Sequence, residues 1–167
     1  MSDTLKDKAK KIKLLLTDCD GVLTDGCVYY SERGEELKKF SLRDGMGVER
    51  LRNLCDIDSG IMTRENSEIV RRRGEKLKMR HLYLGVHNKK EKLIEIMEEN
   101  KLSAYEIAYI GDDTNDIETL EAAGLSACPA DAFELVKKSV QYICQAPGGA
   151  GAFREFAELI IHLRNEN

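Results

Sequence analysis

The sequence predicts an α/β protein: a parallel sheet with helices on both faces and one β-hairpin projecting from it. Three observations predict this. Short apolar runs ended by turn formers alternate with stretches of helical periodicity, the pattern of a parallel sheet joined by helical crossovers. The first apolar run, Leu14-Leu15-Leu16-Thr17, stops abruptly in Asp18-Cys19-Asp20-Gly21, and such sheets bind ligands at the carboxyl ends of their strands. One segment, 27–40, breaks the alternation.

Taken in order, residues 12–17 read as a buried strand, short and apolar. Segment 27–40, CVYYSERGEELKKF, reads as a hairpin with a loop at 31–35 and Gly34 as its turn residue. It lies between the acidic turn and the first long helix, so it should project near the carboxyl ends of the strands, as a flap or a subunit contact. Residues 44–55 place Met46, Val48, Leu51 and Leu54 close to helical spacing, and 57–62 read as a strand. A helix follows over 66–77, with Asn66 as its N-cap, then a short strand at 81–84. The helix 88–100 carries Leu93, Ile94, Ile96 and Met97 on its apolar side. Ser103 and Glu106 have capping-box spacing, yet 107–110 behind them reads as a strand. A helix over 114–123 ends at Gly124 as C′ residue. Strand 125–128, helix 131–138, strand 140–144 and helix 151–165 complete the alternation, with no internal repeat. The 167 residues are expected to form a single domain.

Composition narrows the function. The chain is 42% hydrophobic and 34% charged with a net charge of −4, so no general basic field points to nucleic acid. Arg71, Arg72 and Arg73 are the densest basic spot, but consecutive residues fan around a helix and make no stripe. Five cysteines, an odd number without CxxC, argue against a zinc site or a disulfide frame and suit a reducing cytoplasm. No apolar run approaches the ~20 residues that span a bilayer. The N-terminal stretch MSDTLKDKAKK lacks the apolar core of a signal peptide. His81, His87 and His162 form no metal or nucleophile motif and read as surface or packing residues.

The chemistry is carried by acidic clusters. Asp18 and Asp20 follow the first strand. Asp112, Asp113 and Asp116, in YIGDDTND, follow strand 107–110 and should share its edge. Asp18, Asp20, Asp112 and Asp113 crowded together would be costly without a cation. Oxygen ligands without nearby His or Cys favour a hard ion, Mg²⁺ over Zn²⁺, and Mg²⁺ commonly partners a substrate phosphate. Asp116 reads instead as a helix cap. Thr63 ends strand 57–62, where its hydroxyl can reach a phosphate oxygen. Lys89 opens the helix after strand 81–84, where its ammonium can neutralise charge.

With these residues placed, the sequence resembles the haloacid dehalogenase superfamily. Within it, the likeness is to the small capless phosphatases of 2-keto-3-deoxy sugar acids, which act on KDO 8-phosphate or on nonulosonate (KDN, sialic acid) 9-phosphates. The markers are LLLTDCDGVLTDG, KKFSLRDGMGV, IMTRENSEIVRRR, VHNKKEKL, YIGDDTND and PGGAGAFREF, and the likeness runs from about residue 12 to about residue 160. It implies a Rossmann-like fold, Mg²⁺, an aspartyl-phosphate mechanism, and a homotetramer in which the hairpin packs between subunits. By that pattern Asp18 is the nucleophile, and the metal is held by Asp18, Asp112 and the backbone oxygen of Asp20. Thr63 and Lys89 bind the phosphoryl oxygens. Asp20 protonates the leaving alkoxide, and for this its acidity should be lowered by burial and neighbouring carboxylates. Two departures stand out: Arg64 where the family usually has Gly, and Ala150 where the KDO type usually has Arg. Arg64 could itself contact an anion. Glu65 and Lys76, read as neighbours on one helix face, are the nonulosonate markers of the pattern; RDGMG at 43–47 resembles the KDO type, but the expectation leans towards a nine-carbon substrate. A catalytically silent homologue serving as an oligomerisation domain in sugar-acid activation is the alternative; a receiver domain does not fit, because its phosphorylated Asp follows the third strand.

Overall fold

β1 (Leu14–Thr17) lies at the centre of a six-stranded parallel sheet, and everything that follows is positioned from it. The structure is a computed structural model and describes residues 4–166. After α1 (Leu5–Lys11) and β1 come the hairpin strands β2 (Tyr29–Ser31) and β3 (Gly34–Leu37), then α2 (Leu42–Cys55) and β4 (Asp58–Met62). α3 (Glu68–Lys76), β5 (His81–Tyr83), α4 (Lys89–Asn100) and β6 (Ile107–Ile110) continue the alternation. It ends with α5 (Ile117–Ala122), β7 (Leu125–Cys128), α6 (Glu134–Lys137), β8 (Tyr142–Ile143) and α7 (Ala152–Asn165).

The strand order is β5-β4-β1-β6-β7-β8. The chain steps outward from β1 through β4 to β5, then returns to the other side of β1 for β6, β7 and β8. The crevice between β1 and β6 is therefore the topological switch point, where a sheet of this kind opens a ligand site. Thr17 is level with both Ile61 of β4 and Ile110 of β6, so the residues just beyond all three strands emerge together.

The alternation of side chains across β1 divides the core in two. Leu15 faces one layer with Leu51, Phe153 and Phe156, against α2 and α7. Leu14 and Leu16 face the other with Leu93, Tyr109 and Leu120, against α4 and α5. All four β1 residues are buried, as are those of β6 and β7, because helices cover both faces.

Several local expectations need correction. Asn66 does not cap α3: Ser67 is the N-cap, and its hydroxyl is engaged elsewhere. The helix expected over 114–123 is a 3₁₀ turn, Thr114–Asp116, followed by the short α5. Gly124 is not a left-handed cap; a side chain there would collide with the Tyr105 backbone, so close approach is the reason for glycine. The Ser103–Glu106 box is real but caps only one 3₁₀ turn before β6. Met46, Leu54 and Ile94 are exposed rather than core-facing. The hairpin turn is tighter than expected, since Gly34, at φ +105°, already pairs with Ser31. α1 had not been foreseen, although Thr4 and Asp7 form a capping box that starts it. It anchors on α7 through Arg164, whose guanidinium donates to the carbonyls of Ala9, Lys10 and Ile12.

Candidate active site

The acidic loop after β1 is shaped by backbone constraints. Gly21 sits at φ +89°, and a Cβ there would occupy the space of the Asp112 carboxylate. From the far side, Gly148 presses on the Gly21 carbonyl so closely that no side chain fits, and the Gly149 N–H donates to Val22 O at 2.9 Å. The PGG segment before α7 is thus the backing of the acidic loop.

Asp18 is almost fully buried. Its Oδ1 accepts from the Cys19 N–H at 2.6 Å, and its Oδ2 lies 2.9 Å from Lys89 Nζ. Lys89, buried in the first turn of α4, also donates to Asp116 Oδ1 at 2.7 Å. Asp116 is wholly buried. Beyond Lys89 it accepts from the Tyr109 hydroxyl at 2.6 Å and from the Asp112 and Asp113 N–H groups. The reading of Asp116 as a helix cap holds only in part: it completes the capping box of the 3₁₀ turn by accepting from the Asp113 N–H, makes no cap bond to α5, and also holds Lys89 against Asp18. Asp113 caps the 3₁₀ turn and is exposed.

Oxygens of Asp18, Asp112 and Asp116 lie within 4.8 Å of one another. Burial, then the Asp116 charge, pushes Asp18 up to about 7. Burial, then Asp18, pushes Asp112 up to about 8, and Asp112 Oδ1 is buried without a hydrogen-bond partner. Burial pulls the Lys89 ammonium down, but Asp18 and Asp116 outweigh it and hold it above its usual value. A carboxylate pair so strained by burial and mutual repulsion, with an unpartnered oxygen, fits a hard divalent cation. Asp116, already paired with Lys89 and Tyr109, leaves Asp18 and Asp112 as the carboxylates to hold it.

Asp18 and Asp112 line a cavity of about 570 Å³ together with Asp20, Gly26, Thr63, Arg64, Glu65, His87, Asp113 and Asn115. Thr63 is buried at the end of β4, its backbone fixed by bonds to Tyr83 and Val86 and its hydroxyl accepting from the Glu65 N–H. Arg64 and Glu65 are exposed at the mouth. His87, set aside as a surface residue, borders the cavity; its position just before α4 was the available signal.

Two expectations about the site fail. Asp20 does not face other carboxylates: both its oxygens accept from Lys38 Nζ, at 2.6 and 2.7 Å, and Oδ1 also accepts from the Thr24 hydroxyl. Lys38 was missed, since nothing local to it signals a partner 18 positions away. Lys76 lies outside the cavity, in a separate depression with Glu49 and Arg52. The helix-face argument joining it to Glu65 fails because α3 begins at Glu68, beyond Glu65.

An aspartate on a central parallel strand, a second carboxylate one strand over, and a Thr and a Lys from flanking strand ends define a phosphoryl-transfer class of hydrolase. Consistently, a family model described as haloacid dehalogenase-like hydrolase matches residues 54–151. The 3-deoxy-D-manno-octulosonate 8-phosphate phosphatase of Haemophilus influenzae is 36% identical over 163 residues, 98% of this chain and 90% of that protein. Its counterpart in Escherichia coli K12 is 39% identical over 154 residues, 92% of this chain and 81% of that protein. The crystal structure of the Moraxella catarrhalis 3-deoxy-D-manno-octulosonate 8-phosphate phosphatase, in complex with magnesium ion, phosphate ion and KDO, superposes with a TM-score of 0.92. It is 34% identical, covering 96% of this chain and 91% of that one. This chain belongs to the haloacid dehalogenase-like hydrolases, in the family of the 3-deoxy-D-manno-octulosonate 8-phosphate phosphatases.

Proposed function

We propose that the protein is a Mg²⁺-dependent phosphatase that removes the terminal phosphate of a 2-keto-3-deoxy sugar acid, with 3-deoxy-D-manno-octulosonate 8-phosphate as the substrate. The observation that carries the reading is the Asp18–Lys89–Asp116 chain beside Asp112 at the β1/β6 switch point, in a chain 36–39% identical to phosphatases of that ester.

Asp18 attacks phosphorus in line, and the P–O bond to the sugar breaks with its electron pair leaving on the sugar oxygen. Asp20 gives that oxygen a proton, then takes one from the water that cleaves the aspartyl-phosphate and frees inorganic phosphate. Lys89, fixed by Asp116, and the Thr63 hydroxyl bind phosphoryl oxygens, while Lys89 also keeps Asp18 oriented. A Mg²⁺ held by Asp18, Asp112 and the Asp20 backbone oxygen supplies charge neutralisation of the attacked group. Arg64, Glu65 and His87, at the cavity wall, meet the sugar-acid portion.

A second reading keeps the nonulosonate 9-phosphates, because Glu65 borders the cavity and can accept hydrogen bonds from sugar hydroxyls. For Lys76 to serve as a substrate residue, it must reach the cavity of a neighbouring subunit. The 167 residues act as one phosphatase domain in a cytoplasmic homotetramer, and the exposed Val28, Tyr29, Tyr30, Leu37 and Leu42 around the hairpin support a subunit contact. Phe40, at the end of the hairpin segment, is not part of that surface, because it packs on the core under Arg73. Among the described residues no helix is long and apolar enough to cross a membrane.

A phosphate-release screen across eight- and nine-carbon 2-keto-3-deoxy sugar phosphates tests the reading, with Asp18→Asn as control. Fastest release from the eight-carbon ester supports it, fastest release from a nine-carbon ester selects the second reading, and no release above that control from any ester returns the silent-homologue alternative.

A further inference from the structure

Lys38 is the first residue after β3, yet its side chain is only 1% exposed. Its ammonium donates to Asp20 Oδ1 at 2.6 Å and Asp20 Oδ2 at 2.7 Å, and forms an ion pair with Glu35 Oε2 at 3.3 Å. Glu35 Oε1 in turn accepts from the Ser67 hydroxyl at 2.6 Å. Ser67 is the N-cap of α3 but makes no side-chain cap bond there, so its hydroxyl is committed to the hairpin. A continuous polar chain, Ser67–Glu35–Lys38–Asp20, therefore runs from the loop after β4 through the hairpin to the acidic loop after β1. Lys39 adds a second tie to that loop, 2.5 Å from Asp25 Oδ2.

The arrangement separates two kinds of carboxylate. Asp18, Asp112 and Asp116 are drawn together, whereas Asp20, two residues from Asp18, is held apart by Lys38 and Thr24. An aspartate so near a cation-binding pair would otherwise be free to turn into that cluster. We propose that Lys38 is the positioning residue of Asp20: delivered by the hairpin and braced by Glu35 and Ser67, it keeps the Asp20 carboxylate at the cavity wall for proton transfer to and from the substrate. The proposal rests on the reading above that Asp20 handles those protons. It makes the hairpin part of the proton-transfer machinery besides any role in assembly. A pin serving only to dock the hairpin could attach to any buried acceptor; this one uses two of its three donors on a single cavity carboxylate.

The test exploits leaving groups. A sugar alkoxide needs a proton as it departs, whereas p-nitrophenolate does not. Single-turnover cleavage of 3-deoxy-D-manno-octulosonate 8-phosphate and of p-nitrophenyl phosphate is measured for wild type, Lys38→Met, Lys38→Arg and Asp20→Asn, each checked for folding by melting temperature. Lys38→Met should slow cleavage of the sugar ester by about 100-fold, the lower range of general acid catalysis, and that of the aryl ester by less than about threefold. Lys38→Arg should restore most of the difference. Glu35→Gln should show the same selectivity more weakly, and it stands in for Lys38→Met if that variant does not fold. If Asp20→Asn shows the selectivity while Lys38→Met and Glu35→Gln slow both esters equally or neither, Lys38 is only a structural pin and the proposal fails. If Asp20→Asn itself shows no selectivity, the role given to Asp20 fails with it.

Discussion

The two walls flanking the site are built by opposite means, and the hairpin, which does not itself line the cavity, meets it through Asp20. One wall is the sheet edge: Asp18, Thr63, Lys89 and Asp116 are each at most 6% exposed, and fixed by strand ends and by one another. The other is the hairpin, where Tyr29 and Tyr30 are 61% and 70% exposed while Lys38, Lys39, Glu35 and Phe40 reach back to the body. Buried charge on the sheet edge is held by the core and cannot move without unfolding part of it. The hairpin has little core of its own, as expected of two strands, so a few polar ties decide where it sits. In the proposed mechanism the phosphate-binding groups lie on the rigid wall, and Lys38, which holds the Asp20 carboxylate, lies on the adaptable one.

Breaking the rigid wall should have the largest effect. Asp18→Asn should lower turnover on the order of 10⁵-fold with the melting temperature kept or raised, since it removes one charge from a repelling cluster. Stopped phosphate assays, with reversion by amide hydrolysis excluded by mass, check it; substantial residual turnover would contradict the nucleophile. Next, Asp116→Ala leaves the Tyr109 hydroxyl buried without its partner and Lys89 with Asp18 as its remaining charge partner. It should destabilise by about 3–5 kcal/mol, the cost of a broken buried ion pair, in denaturant titration as well as reduce activity. A variant as stable as wild type would mean that the Lys89–Asp116 pair is not structural.

The adaptable wall should respond differently. Tyr29 and Leu37 face each other across the hairpin and are both exposed. Replacing both with Ser should leave the monomer fold intact, lower the oligomeric state seen by light scattering, and reduce activity by about tenfold. Unchanged assembly would place the subunit contact elsewhere.

Metal and pH sharpen the comparison further. Asp18 and Asp112 stand at about 7 and about 8, above their ordinary value, so the folded state favours their protonated forms. Without metal, stability from these groups is present at acid pH and falls as pH rises through the range from about 4 to about 8, because there the unfolded chain binds fewer protons. Mg²⁺ should therefore raise the melting temperature by several degrees near pH 8 and by little near pH 5. Equal shifts at both would place the ion away from these carboxylates. The smallest effect lies outside the cavity lining. Asp44 is buried between α2 and α7, accepts from the Arg154 N–H, and has its other oxygen unpartnered; burial pushes it up to about 6. Asp44→Asn should match wild type near pH 4 and exceed it near pH 8, by at most about 3 kcal/mol. Loss of stability at pH 8 would show instead that its pairing with Arg73 and Arg154 outweighs its burial.

Much of this was legible in the chain. The alternation, the strand ends and the placement of Asp18, Thr63, Lys89 and Asp112 on one edge follow from hydrophobic period and turn residues, which are local properties. Boundaries near the site were less legible: Asp113 and Asp116 form the capping box of a 3₁₀ turn, which takes the place of the first turn of the helix expected there.

By itself, then, the sequence determined the sheet, its active edge and the chemical type of the groups on it, because a parallel strand buried on both faces must be apolar and must end where polarity begins. Only the tertiary structure decided which partner each charge takes. Lys38 finds Asp20 across 18 positions, Lys89 finds Asp116 across 27, and Lys76 is turned away from the cavity that Glu65 borders. A buried charge must be paired, but which opposite charge is near enough depends on how hairpin, helices and loops close in space, and no sequence period encodes that distance.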